Sequence, residues 1–338
     1  MITNLTLKNF TIFKELSIDF SPRINIIIGE NSTGKSHLLK AAYCLCSASS
    51  SQRVEALTDK LLNVFLSTDK SLAKLLKIGA VENAIIRGNI IPGQELSLQF
   101  SSDSRFLTIT SNDDCNLSPI FIASNGLLRF LNSFGNIDRS VLKLIFDETY
   151  FDLAAKLVNN SPAPRVSERC LVEKLSLSMN GQFSFDNAEL LFHSKDAVLP
   201  FNMTAGGFEK LGILQMLLQN CSLVPGVSGV LLLDEPGLSM NPKLIKLLVE
   251  VLLELSRNGQ QIILTTHNYV LLKWFDLLQD KQNGDYIRFH SLYRDSETSD
   301  IRLSSTDDYL HIQPNPIDDA FGDLLDRQIE KDMGGLGR

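Results

Sequence analysis

Residues 29 to 36 read Gly29-Glu30-Asn31-Ser32-Thr33-Gly34-Lys35-Ser36, and the stretch satisfies the phosphate-loop pattern G-x-x-x-x-G-K-[ST] at every specified position. Glycines let successive backbone N–H groups turn inward on a phosphate, and the N-terminus of the following helix adds the positive end of its dipole. In this pattern Lys35 neutralises the β- and γ-phosphates of a nucleotide and Ser36 offers its hydroxyl to Mg²⁺. The flanks agree. Ile24-Asn25-Ile26-Ile27-Ile28 is a short apolar run of β-branched residues that reads as a strand, and His37-Leu38-Leu39-Lys40-Ala41-Ala42 favours a helix. Gly29, Glu30, Asn31, Ser32, Thr33, Gly34, Lys35, Ser36 and His37 are therefore the expected nucleotide-binding positions.

Three later stretches carry matching chemistry. Gly229-Val230-Leu231-Leu232-Leu233-Asp234-Glu235-Pro236 is a buried-strand run ending in two carboxylates, the place where a parallel strand delivers acids to a phosphate site. Asp234 is expected to hold Mg²⁺, and Glu235 to orient and deprotonate the attacking water. A second apolar strand, Gln261-Ile262-Ile263-Leu264-Thr265-Thr266, ends at His267, whose imidazole is placed to hydrogen-bond a γ-phosphate. Met203-Thr204-Ala205-Gly206-Gly207-Phe208-Glu209-Lys210-Leu211 precedes a run with helical spacing, so the glycine pair stands at a helix N-terminus open to an anion.

Taken in order, GENSTGKS, TAGGFEK, VLLLDEP and TTHN resemble the phosphate loop, signature motif, Walker B acids and switch histidine of the ATP-binding-cassette (ABC) ATPases. The N-terminal strand pair and the wide gap between the first two motifs are similar to the SMC/RecF/OLD branch of genome-maintenance and defence ATPases. The resemblance implies an α/β P-loop fold with a mixed sheet core, flanking helices, an antiparallel β subdomain and a compact helical insertion instead of a coiled coil. It also implies a head that dimerises around two ATP molecules. Each site would join Lys35, Ser36, Asp234, Glu235 and His267 of one subunit to Gly206 and Gly207 of the other, with Thr204 and Ala205 beside them among the expected nucleotide-binding positions. There are departures: Ala205 replaces the usual signature serine, Phe208 replaces a polar residue, and Asn241 stands where many relatives carry Asp. Ser124 and Asn125 are candidates for the glutamine loop.

The rest of the chain reads as one ATPase head, residues 1–338. Ile2 to Phe10 and Leu16 to Phe20 alternate as paired strands; residues 50–90 read as a helical segment after a Ser-rich break. Leu96-to-Phe100 and Leu107-to-Ile109 suggest a hairpin, and Pro119 to Ala123 a buried strand. Residues 137–176 form the helical insertion, interrupted at Ser161-Pro162-Ala163-Pro164, and short strands follow up to Phe201. In the tail, residues 285–338, two strands precede Asn315-Pro316, an N-cap followed by a first-turn proline, and a helix expected to cap the core, with partner docking as the alternative.

Composition sets the remaining bounds. A chain of 338 residues, 44% apolar, can bury a large core, and its net charge of −7 excludes a global basic field of the kind that drives nonspecific nucleic-acid binding. Five cysteines without C-x-x-C spacing, and no apolar leader, read as reduced thiols of a cytoplasmic protein, and no run is long enough to cross a membrane. The expected ligands are ATP and Mg²⁺. The expected partners are a second head or a higher assembly, a separately encoded effector, and DNA, with no membrane. The leading expectation is an ATPase whose nucleotide state controls an effector or DNA engagement in anti-phage defence or genome maintenance. A nucleotide-gated scaffold with little hydrolysis and the energising subunit of a membrane transporter remain as alternatives.

Overall fold

The computed structural model describes residues 1–48, 53–91, 94–111, 118–124, 126, 130, 138–158, 166–186, 189–204 and 206–333. Ser49 to Ser51, Cys115, Asn125, Ser161 to Pro164 and Ala205 lie outside the described residues. The chain is organised by three apolar runs that become neighbouring parallel strands: β3 (Ile24–Gly29), β11 (Leu231–Asp234) and β12 (Ile262–Thr265). With β7 (Ile120–Ile122), β13 (Ile287–Arg294) and β14 (Ile301–Thr306) they form a six-stranded sheet of order β14-β13-β3-β12-β11-β7, parallel except for the β13–β14 edge.

Both faces of this sheet are covered, which is why its strands are apolar without alternation. Ile26, Ile28, Leu233 and Leu264 point into one core, with α6 (Glu209–Gln219) and α7 (Pro242–Arg257); Ile27, Leu232 and Ile263 point into the other, with α1 (Lys35–Ala48). A five-stranded antiparallel sheet closes the second core. It joins β1 (Asn4–Phe10) and β2 (Phe13–Asp19) to β4 (Ala84–Ile91), β5 (Gln94–Phe100) and β6 (Thr108–Ser111), in the order β2-β1-β4-β5-β6. A three-stranded sheet of β8 (Gly181–Asp186), β9 (Glu189–Ser194) and β10 (Val198–Pro200) leads into the glycine pair.

The expected helical segment over residues 50–90 is corrected. Helix α2 (Val54–Val64) ends early, short 3₁₀ turns follow, and Ala84–Ile91 is strand β4, paired with both β1 and β5. Its centre holds Gly88, where an added Cβ would lie 2.3 Å from the Asn4 carbonyl oxygen, so the close approach of β1 requires glycine. The insertion forms α3 (Arg139–Ile145), α4 (Glu148–Val158) and α5 (Val166–Met179). Cys44 and Cys46 are buried in α1, burial pushes the Cys44 thiol up to about 12, and no cluster of metal-ligating side chains occurs among the described residues. No helix among the described residues is long and apolar enough to cross a membrane.

The tail begins as expected and then departs from expectation. Asn315 Oδ1 accepts the Asp318 N–H and Pro316 opens α9 (Pro316–Asp332). Ile317 is buried, and Phe321 stacks on Tyr269 of α8 (Tyr269–Leu278) with ring centroids 4.0 Å apart. Beyond that contact the helix leaves the body: Leu324, Leu325, Ile329 and Met333 are exposed, so α9 caps the core only through its first turn. Truncating Leu325, which is 52% exposed, is expected to change stability by no more than about 0.5 kcal/mol. Leu252→Ala, at a position 0% exposed on α7, is expected to cost about 2–5 kcal/mol, both read by denaturant unfolding.

Candidate functional site

The parallel register brings the site together. Asp234 lies opposite Thr265 and Thr265 opposite Ile27, so three strand ends open at one level beside the phosphate loop. Gly29 has φ +148°, and an added Cβ would stand 2.3 Å from the Leu292 carbonyl oxygen; Gly34 has φ +90° and would drive a Cβ to 2.6 Å from both Ile12 and Phe13. Only glycine fits the two ends of this loop. Thr33 Oγ1 donates to the Glu30 carbonyl at 2.8 Å and closes the loop on itself. Helix α1 starts at Lys35, which aims its N-terminus at the loop mouth.

A cavity of about 480 Å³ opens there, lined by Asn31, Ser32, Gly34, Lys35, Ser36, His37, Glu235 and His267 from the expected set, and by Ile12. The Lys35 ammonium donates to the carbonyls of Gly29 at 2.7 Å and Glu30 at 2.9 Å. Burial pulls its pKa down, against the pull of Glu235, Asp234 and Glu30. Ser36 Oγ donates to Asp234 Oδ1 at 3.1 Å. A hydroxyl and a carboxylate converging beside a phosphate loop are hard oxygen donors of the kind Mg²⁺ takes alongside phosphate oxygens and water. Glu235 has φ +48°, an uncommon backbone for a side-chain-bearing residue. Its carboxylate meets His267 Nδ1 at 2.7 Å and accepts the His267 backbone N–H at 3.1 Å, so Glu235 and His267 form one unit. His37 rests edge-on against Phe65, and burial pulls its imidazole pKa down.

The signature positions stand elsewhere. Gly206 lines a separate cavity of about 370 Å³ with Ser124, Gly126, Glu209, Lys210 and the Leu238–Met240 loop that follows the Walker B acids. Gly207 faces that same loop, 3.5 Å from the Ser239 carbonyl oxygen measured to an added Cβ. The Thr204 hydroxyl donates to the Phe201 carbonyl at 2.7 Å, inside its own turn. Phe208 packs on Phe192 of β9, which gives the unusual aromatic a local role. Asn241 caps α7, its Oδ1 accepting the Lys243 N–H at 3.0 Å. Ser124 lies with Gly206, away from the phosphate-loop cavity.

Two buried polar residues were not singled out from the sequence. Thr265 sits among the strand-end acids, and Lys210 is 4% exposed on α6 with its ammonium on the Ala123 carbonyl at the end of β7. The signal for each was a polar side chain where helix or strand periodicity places a core residue.

Comparison with known proteins bears on the fold. Residues 1–125 match the model described as "AAA ATPase domain", and residues 174–273 the model described as "AAA domain, putative AbiEii toxin, Type IV TA system". Among curated relatives, the DNA replication and repair protein RecF of Halalkalibacterium halodurans is 47% identical over 49 residues, 14% of this chain and 13% of that protein. RecF of Lactobacillus gasseri is 52% identical over 44 residues, 13% of this chain and 12% of that protein. The matches thus span only about an eighth of those relatives' length. The SMC head domain from Thermotoga maritima superposes with TM-score 0.52 at 14% identity, over 90% of this chain and 98% of that one. An SMC head bound to the C-terminal winged-helix domain of ScpA gives TM-score 0.57 at 14% identity, over 90% and 97%. The chain carries the fold of an SMC/RecF-like ABC-type ATPase.

Burial pulls the Lys210 ammonium down to about 8, against the pull of Glu209 and Asp234. The unfolded chain keeps that proton up to the ordinary lysine value of about 10.4, so between the two values it binds more protons than the folded chain and stability rises with pH. Urea unfolding is expected to show this rise in the wild type, and Lys210→Met is expected to lose that component.

Proposed function

We propose that this SMC/RecF-like ABC-type ATPase is an ATP-binding and ATP-hydrolysing head that dimerises around two ATP molecules. Its nucleotide state would control a partner effector or DNA engagement, in anti-phage defence or genome maintenance. The observation that carries the reading is the convergence of Lys35, Ser36, Glu235 and His267 on one cavity, with Asp234 behind Ser36 and bonded to it, while Gly206 and Gly207 stand apart. A signature that does not complete its own subunit's site supports a site completed by a second head.

Each residue has a task in that reaction. The loop N–H groups and Lys35 bind and orient the triphosphate. Ser36 and Asp234 would hold Mg²⁺, which neutralises charge on the phosphate oxygens when bound. Glu235 takes the proton from the attacking water, and His267, tied to it at 2.7 Å, registers the γ-phosphate. Turnover is slow in this reading, because Ala205 lacks the signature hydroxyl and that of Thr204 is held by Phe201. The same observation favours a second reading, a nucleotide-gated scaffold with little hydrolysis.

The projecting α9 supports the partner element. Its apolar stripe is flanked mainly by carboxylates, among them Asp319, Asp323, Asp326 and Glu330, so we assign it to a protein partner presenting an apolar groove rimmed by Lys and Arg.

Two experiments check these assignments. Glu235→Gln is expected to lower ATP hydrolysis by about 10²–10⁴-fold while retaining ATP and shifting to a dimer in Mg-ATP by light scattering, whereas Lys35→Ala loses nucleotide binding. A Glu235→Gln protein that stays monomeric would remove the dimerising-head reading. Leu325→Asp is expected to leave the ATPase rate of the purified protein unchanged while abolishing protection of cells against phage or DNA damage. Unchanged protection would take α9 out of the partner interface.

A further inference from the structure

Strand β12 is apolar and fully buried through Ile262, Ile263 and Leu264, and Val would continue it at position 265 with the same shape. The residue is Thr265, itself 0% exposed. A hydroxyl in such a place must find partners, and this one has both of them at the two acids of the neighbouring strand. Thr265 Oγ1 donates to Asp234 Oδ1 at 2.6 Å and accepts the Glu235 backbone N–H at 3.1 Å.

The two bonds act on different properties. Asp234 Oδ1 also accepts from Ser36 Oγ at 3.1 Å, so every hydrogen bond to this carboxylate among the described residues ends on Oδ1. Two hydroxyls on one oxygen pin the rotation of the carboxyl group and leave Oδ2 for a ligand. The bond to the Glu235 N–H holds the peptide that leads into a residue at φ +48°, and so aims the Glu235 side chain toward His267. The Thr265 hydroxyl therefore links the metal-binding and the proton-accepting acid.

We infer that Thr265 is a positioning residue that presents one oxygen of Asp234 to the metal of a bound metal–nucleotide and sets the backbone of Glu235. The inference rests on the reading of this cavity as an Mg-ATP site. Groups that orient metal ligands typically change metal affinity or activity by about 10–100-fold when removed.

The test compares Thr265→Val, Thr265→Ala and Thr265→Ser with the wild type, using the affinity of a fluorescent ATP analogue in Mg²⁺ and in EDTA, with a thermal melt of each protein. The Val and Ala variants are expected to lose about 10–100-fold of the Mg²⁺-dependent gain in affinity, with EDTA affinity unchanged because Lys35 and the loop are intact, and Ser to stay within about threefold of wild type. Val and Ala variants with the wild-type gain would overturn the inference, as would a folded Ser variant as defective as Val. If Val and Ala are unfolded at the assay temperature and Ser is not, the hydroxyl is structural and the inference is likewise overturned. A wild type that binds no nucleotide in either condition would overturn the site reading itself, an outcome visible before any variant is compared.

Discussion

The pairing of Asp234 with Thr265, and of Thr265 with Ile27, is the constraint on which the site depends. A strand slipped by one residue turns every side chain to the opposite face. Here that would move Asp234 away from Ser36 and Glu235 away from His267. The register is held because alternate residues of the same strands fill two different cores, one against α6 and α7 and one against α1 and the antiparallel sheet. A slip would also part Thr265 and Asp234, both buried, from each other and Asp234 from Ser36.

The loop between strand and helix is constrained in the same way. Gly29 lies against the backbone of β13 and Gly34 against Ile12 of the β1–β2 connection and Phe13 of β2, so the phosphate loop is clamped by two separate sheets. Lys35 then bridges the loop's own carbonyls at its base. The nucleotide-binding half is thus preorganised by packing. The signature half belongs to another layer, built on Phe183, Phe192 and Phe208, with Gly212 tight against the Phe183 ring.

What could be read from the sequence followed from how local each signal is. The phosphate loop, the strand ending in Asp234 and Glu235, and the strand ending at His267 each carry their chemistry within a few consecutive residues. Strand β4 is hard to read because Ile85-Ile86 and Ile90-Ile91 break the alternation and Gly88 interrupts it, and that glycine is explained by the Asn4 carbonyl and the Leu45 side chain, both distant in sequence. The tail helix was identified with its cap, but Leu324, Leu325 and Ile329 have the same spacing whether the face is covered or bare. Thr265 is in sequence only the next residue of an apolar strand, and its bond to Asp234 follows from the register, which single-strand periodicity does not contain. The separation of Gly206 from Lys35 is likewise a fact of layers, not of spacing.

The stack of Phe321 on Tyr269 has a mechanical consequence. Tyr269 is two residues beyond His267, and from Phe321 the remaining residues of α9, through Asp332, run outward, roughly 17 Å at about 1.5 Å per residue. The helix is therefore a pointer whose base lies beside the strand end that carries His267. A tilt of about 10° at that base displaces its free end by about 3 Å over that length. A displacement too small to notice at the cavity becomes one that a neighbouring molecule in contact with the tip can distinguish.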